Sequence, residues 1–203
     1  NEEERQSFVE DLVKLAKVRG YTGWDLDWEQ ISPEDRDNFT GFVEMAEREL
    51  EGNNIDLSVT VHAQTGSRND WVGSAGQDLA AIGRSADAVR VMIYDFHNGV
   101  TEPGPVTPLD YLEKVVRYSQ EMIPREKLIV ALPVYGYDWK NGGADAVTFE
   151  QAEERLAARS VPSTRDDMSF SLRAEYEDNS YQREIWYEDA VSVIKKVAVS
   201  QRL

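Results

Sequence analysis

The chain contains no cysteine, which excludes a disulfide framework and thiolate chemistry and does not distinguish cytosol from exterior. Histidine is nearly as scarce, with His62 and His97 the only two. Neither has a second His or a Cys nearby, so no zinc or iron ligand set is recognisable and neither a metal nor a cofactor is expected. No apolar run is long enough to span a bilayer, and the opening Asn1-Glu2-Glu3-Glu4-Arg5 is not a signal peptide. An export signal would therefore have to be already removed or to lie upstream. Basic side chains are outnumbered as well: 22 Lys and Arg against 38 Asp and Glu give a formal charge of -16. Such a chain repels DNA, RNA and anionic membranes, and a neutral or cationic partner suits it better.

With 203 residues, 41% of them hydrophobic and 10% aromatic, the chain can bury a substantial core and is expected to form one domain. Its most informative stretch is Tyr21-Thr22-Gly23-Trp24-Asp25-Leu26-Asp27-Trp28-Glu29. Carboxylates at every second position have strand periodicity, so Asp25, Asp27 and Glu29 are expected on one face and Trp24, Leu26 and Trp28 on the other. Neighbours on one strand face sit roughly 6 to 7 Å apart, which disfavours full ionisation and predicts that one proton is shared or retained. A protonated carboxyl beside ionised ones is what a general acid requires. A calcium loop fits poorly, because Gln30 stands where an EF-hand needs Gly and Arg36 where it needs Glu. A merely solvated strand face fits poorly beside so much aromatic surface.

Along the chain, a helix with Phe8, Val9, Leu12, Leu15 and Ala16 on one face closes at Gly20. Ser32 is expected to cap a second helix, with Pro33 in its first turn, Asp35 at the capping-box position, and Phe39, Phe42, Val43, Ala46 and Leu50 inward. An alternating strand, Ile55 to Ala63, follows, then a polar loop, a short helix near Leu79 to Ile82 and a buried strand from Ala88 to Asp95. A helix from Thr107 leads to another buried strand, Lys127 to Tyr135. Strands alternating with helices predict stacked βα units, with polar and aromatic strand ends forming a rim site. No Gly-rich phosphate loop supports the nucleotide-binding open sheet instead. From about 140 to 186 the pattern changes to a helix, Thr148 to Ala158, and two short β-like runs, around Ser169 to Tyr176 and Arg183 to Tyr187, which reads as a small insertion. A final helix carries Val191, Ile194, Val197 and Ala198.

The segment from Gly23 to Glu29 resembles the Asp-Gly-x-Asp-x-Asp-x-Glu signature of glycoside hydrolase family 18, the chitinase-like (βα)8 barrels, with Thr22 replacing the leading Asp. Met92-Ile93-Tyr94-Asp95 is similar to that family's Met-x-Tyr-Asp, and Leu132-Pro133-Val134-Tyr135-Gly136 to its seventh-strand motif. Pro103 to Pro108, Tyr135 to Trp139 and Ile185 to Ala190 look most like the bacterial branch directed at spore cortex and peptidoglycan. The fold class this implies is α/β, an incomplete TIM (βα)8 barrel, with residues 1–203 a partial domain, roughly strands four to seven, and 140–186 inserted. The remaining strands are expected outside the chain, or a second copy covers the open sheet edges.

The resemblance implies a retaining glycosidase acting on polymers containing N-acetylglucosamine, chitin or peptidoglycan-like, outside the cell or in its envelope, by a substrate-assisted route. Glu29 would be the general acid, Asp27 would orient the acetamido group, Asp25 would share a proton with Asp27, and Tyr94 would donate to the acetamido oxygen. Asp95 would hold a sugar hydroxyl, Met92 would contact the sugar or fill the core, and Tyr135 and Trp139 would be stacking platforms or packing residues. Trp186 is expected to anchor the final helix, and the two histidines to be polar rim groups. A non-catalytic sugar-binding module or an inactive barrel fragment is the competing reading.

Overall fold

The computed structural model describes residues 1–67 and 70–203; Arg68 and Asn69, in the polar loop expected after Ala63, lie outside it. The chain divides into two compact units, Asn1–Met92 with Arg117–Val130, and Ile93–Val116 with Ala131–Leu203. In chain order the elements are α1 (Glu2–Arg19), β1 (Gly23–Asp27), α2 (Arg36–Glu51), β2 (Asp56–His62), α3 (Leu79–Ser85), β3 (Ala88–Met92), α4 (Leu109–Met122) and β4 (Leu128–Ala131). There follow β5 (Tyr135–Lys140), β6 (Gly143–Thr148), α5 (Phe149–Ala157), β7 (Thr164–Arg165), β8 (Leu172–Asp178), β9 (Tyr181–Tyr187) and α6 (Ala190–Arg202). No helix is long and apolar enough to cross a membrane, among the described residues.

The first four strands form a sheet in sequential order, β1-β2-β3-β4, and the two pairings β1 with β2 and β2 with β3 are parallel. Parallel neighbours need a crossover, and the helices supply it. β2 alternates little, with Leu57, Val59, Thr60 and Val61 all buried, as a strand covered on both faces should be. α2 packs Phe39, Phe42, Val43, Ala46 and Leu50 inward as its periodicity predicts. Each such fully buried Leu or Val contributes roughly 2 kcal/mol.

Helix ends follow local chemistry. α1 opens on a capping box between Asn1 and Glu4 and closes on Gly20 in the left-handed conformation, φ 73°. Its apolar stripe is narrower than expected: Val9 and Ala16 are buried, while Phe8 and Leu15 are largely exposed. The cap expected of Ser32 is corrected as well. Its hydroxyl donates to Glu34 Oε2 at 2.5 Å and caps no backbone N–H, so Pro33–Asp35 form a 3₁₀ turn and α2 begins at Arg36.

The second unit holds an antiparallel sheet of order β6-β5-β9-β8-β7. It starts at Tyr135, within the run expected to be one long buried strand; β4 before it ends at Ala131, since Pro133 has no N–H for a ladder, and it is not buried, with Ile129 exposed and its other residues half-buried. Two two-residue turns organise it. Lys140 pairs with Gly143 and Asp178 with Tyr181, and the residues between, Asn141-Gly142 and Asn179-Ser180, all have positive φ, the type I′ pattern matched to strand twist. Gly136 is required for another reason: a Cβ there would stand 2.1 Å from the Trp186 carbonyl oxygen on β9. Val147, Ala152, Leu156, Ala174, Tyr176, Ile185 and Tyr187 form the core between this sheet and α5.

Asp138, fully buried in β5, is the polar hub of that unit. It accepts from Arg155, from Arg183 Nε at 3.0 Å and Nη2 at 2.8 Å, and from the Tyr176 hydroxyl at 2.7 Å. Removing one partner of a buried pair leaves uncompensated charge, so Asp138→Asn should cost about 3 kcal/mol of unfolding free energy in urea titration. A loss below about 1 kcal/mol would show that the two arginines do not depend on it.

Candidate active site

The register of the parallel sheet builds the acidic site. Asp25 is the partner of Ser58 and Asp27 of Thr60, and Thr60 in turn of Arg90, so these residues share one face of neighbouring strands. His62 and Met92 continue the same face one pleat further. Asp25 Oδ1 accepts from Ser58 Oγ and from Arg90 Nη1, the latter at 2.6 Å, and Asp25 Oδ2 accepts from Thr60 Oγ1 at 2.7 Å. Burial raises the carboxyl pKa, but the bonds from Ser58 and Thr60 and the Arg90 charge outweigh it and hold Asp25 below the ordinary carboxylate value. Both oxygens of Asp25 thus serve as acceptors of its ionised form.

β1 ends at Asp27, so Trp28 and Glu29 lie on the loop that leaves it, not on the strand as expected. Trp24 and Leu26 are half-buried on the apolar face, with Trp24 Nε1 donating to the Leu12 carbonyl at 3.2 Å. Trp28 is 57% exposed and meets Phe39 and Phe42 edge-on, so the loop has lifted it out of the packing its position in the pattern predicts. The carboxylates of Asp27 and Glu29 are on exposed residues. An apolar cleft of about 400 Å³ lies beside the loop, lined by Trp28, Phe8, Phe39 and Phe42, and none of the three acidic residues lines it.

Two residues outside the expected catalytic and sugar-binding set, Gln77 and the expected rim residue His62, fix the loop backbone. Gln77, fully buried, accepts from His62 N at 2.8 Å and donates to the Trp28 carbonyl at 3.2 Å. His62 Nε2 lies 2.8 Å from the Glu29 carbonyl, which can only accept, so that nitrogen carries the proton. His62 thus does more than sit on a rim: it holds the main chain of the expected acid. The signals available in the sequence were a lone cation, Arg90, inside an apolar strand, and hydroxyls alternating along β2.

In the second unit, Asp95 has φ 57°, a left-handed conformation uncommon outside glycine and frequent at functional positions. Its Oδ1 accepts from the Tyr135 hydroxyl at 2.5 Å and the Tyr137 hydroxyl at 3.0 Å, so Tyr137, absent from the expected set, joins it. Burial and the Asp95 charge raise both phenols, Tyr137 to about 12 and Tyr135 further. Tyr94 is half-buried, its ring edge-on to Tyr135 at 6.4 Å. Trp139 is enclosed, 4% exposed, and its Nε1 donates to the carbonyls of Asn98 and Thr101. With no open ring face it is a packing residue and not a sugar platform. Met92, in the first unit, is buried at the end of β3.

Comparison with known proteins places this geometry in a family. The family model of glycosyl hydrolases family 18 matches residues 1–202. YdhD of Bacillus subtilis, named as a sporulation-specific glycosylase, is 31% identical over 96% of this chain and 47% of its own length. Its crystal structure superposes with a TM-score of 0.93 at 29% identity, covering all of this chain and 68% of that one. The cortical fragment-lytic enzyme of Bacillus anthracis is 26% identical over 95% of this chain and 46% of itself. A chitinase of Chromobacterium violaceum superposes with a TM-score of 0.90 at 30% identity, covering 96% of this chain and 62% of that one. The chain spans about half the length of the curated relatives it matches.

The phenols give a direct test of the Asp95 cluster. Tyr137 is raised from 10.0 to about 12, so the stability it contributes is complete below pH 10 and lost as pH climbs through that range. Ultraviolet titration, taken as the difference between the protein and its Tyr137→Phe variant, should place this ionisation near 12. In Asp95→Asn the same difference should fall by about one unit. An unchanged midpoint would mean that Asp95 does not hold the hydroxyl.

Proposed function

The chain belongs to glycosyl hydrolases family 18, and on that premise we propose that it carries the acid centre of a retaining hydrolase of β-linked N-acetylglucosamine polymers, working by substrate assistance. The observation that supports this best is the acidic row itself. Asp25 and Asp27 share one sheet face, and the loop bearing Glu29 leaves that strand with its two first carbonyls held by Gln77 and His62. Positions fixed through main-chain bonds are what an acid catalyst needs to meet a bound glycosidic oxygen repeatedly in one geometry.

In this reading Glu29 gives its proton to the glycosidic oxygen as the bond to the anomeric carbon breaks. The acetamido oxygen of the same sugar forms the new bond to that carbon from the opposite side, yielding an oxazolinium ion. Asp27 accepts the acetamido N–H and stabilises the positive charge that develops, an electrostatic and orienting role. Water then bonds to the anomeric carbon and gives a proton to Glu29, the ring opens, and two inversions leave the configuration retained. Tyr94 is assigned to the acetamido oxygen and Asp95 to a sugar hydroxyl, with Tyr135 the remaining aromatic platform. Met92 is taken as a core residue at the end of β3.

The same proposal takes the four sequential strands as the fourth to seventh of a (βα)8 barrel, with 140–186 an insertion and the edges at β1 and β4 covered by further barrel strands or a second copy. It also places the reaction outside the cell or in the envelope. A peptidoglycan-like polymer is favoured by relatives named for the spore cortex, and neutral chitin by the charge of -16.

Release of reducing ends from N-acetylglucosamine oligomers tests the assignment. Glu29→Gln should lower the rate by about 10³-fold, within the range a positioned acid and base contributes, since both steps use it. Equal rates in the two proteins would remove Glu29 as the acid, and binding without turnover in both would favour a sugar-binding module. Efficient cleavage of deacetylated oligomers would rule out substrate assistance.

A further inference from the structure

We propose that Arg90 is a positioning residue of this reaction: from β3 it holds Asp25 as the anion, and so fixes a negative charge on the sheet face that Asp27 shares. The inference rests on the proposed function for its consequence and on the sheet geometry for its cause.

Arg90 is the single charge in Ala88-Val89-Arg90-Val91-Met92, and both its neighbours in the strand are fully buried. A cation in such a run needs a partner, because a charge beside low-dielectric packing is costly unless paired and hydrogen-bonded. The partner is two strands away. Arg90 Nη1 reaches past β2 to donate to Asp25 Oδ1 at 2.6 Å and to Thr60 Oγ1 at 3.1 Å, while the Thr60 hydroxyl donates to Asp25 Oδ2 at 2.7 Å. Ser58 supplies a third donor, on Oδ1. Both oxygens of Asp25 are thus met by donors from two strands. A proton added to either would face an N–H or O–H already pointing at it.

The titratable and charged groups on this face are Asp25 and Asp27 of β1, His62 of β2 and Arg90 of β3; Ser58 and Thr60 add neutral hydroxyls. Among the described residues, only Arg90 brings positive charge into hydrogen-bond contact with a carboxylate of the row. Asp25 is fixed as acceptor, and its charge is held on the same face as Asp27, where it adds to the field that stabilises the positive charge of the oxazolinium ion. Arg90 touches neither substrate nor reacting atoms in this scheme. It acts through Asp25.

Carboxyl carbon NMR titration of Asp25, in the protein and in Arg90→Met and Arg90→Lys, tests the cause without requiring turnover. The Asp25 midpoint should rise by about one unit or more in Arg90→Met. Arg90→Lys should recover part of that shift, since the charge remains on a side chain of different reach and geometry. The pH profile of oligomer cleavage tests the consequence: the acidic limb should move upward in Arg90→Met, with kcat lowered roughly tenfold and KM nearly unchanged. A purely structural role would lower stability without moving that limb. An Asp25 midpoint unmoved by Arg90→Met overturns the proposal, and so does a moved midpoint with an unmoved pH profile. Failure of the glycosidase reading itself is seen separately, as full activity in Glu29→Gln.

Discussion

Parallel pairing between β1 and β2 is the constraint on which the site depends. A one-residue slip in that register would turn every carboxylate of the row to the other face and bring Trp24 and Leu26 into its place. The register that is found sets Asp25 against Ser58 and Asp27 against Thr60, and the next strand adds Arg90 and Met92. The apolar sides of the same strands, with Val59, Val61, Val89 and Val91 fully buried, lock the slip out. Core packing and acid geometry are in this sense one arrangement seen from two faces.

Electrostatics in so acidic a chain has a particular economy. Positive groups are few, and several are placed against single buried or half-buried carboxylates. Arg90 meets Asp25, Arg155 and Arg183 meet Asp138, and Lys196 meets Glu188 at 2.5 Å with both side chains fully enclosed. Burial lowers the Lys196 pKa although Glu188 opposes it, and Ser171 Oγ bonds both. The pairs differ in what they hold. Asp138 and Glu188 organise the antiparallel unit, whereas Asp25 stands beside carboxylates that the proposed reaction uses. Asp27 and Glu29 lie among exposed residues, where substrate can reach them.

Much of the parallel part is legible in the sequence. The inward face of α2, the left-handed Gly20 and the alternation of strands with helices follow from period and punctuation alone. The antiparallel sheet is harder to read, for identifiable reasons. Residues 128–135 form one apolar run in which Pro133 is the only sign of a break, and β6, Gly-Ala-Asp-Ala-Val-Thr, lacks the β-branched density of a strand. The Asn141-Gly142 turn was the available clue. At the site, the carboxylates announce themselves by spacing, but the groups that control them do not. Ser58, Thr60 and Arg90 become partners of Asp25 only through pairing between strands far apart in sequence, and Gln77 reaches the Trp28 carbonyl from beyond β2. Trp28 and Trp139 show the converse, since alternation and strand position do not determine how a loop or a neighbouring segment covers a ring.

The central claim is that the acidic row cleaves its glycan with help from the substrate's own acetamido group, and the stereochemistry of the first product tests it most directly. Proton NMR of the anomeric signals, recorded early in the cleavage of an N-acetylglucosamine oligomer by the intact protein, distinguishes the outcomes before mutarotation mixes them. The account predicts that the β-anomer appears first. Initial formation of the α-anomer would mean that water attacks in a single inverting step, and would contradict it.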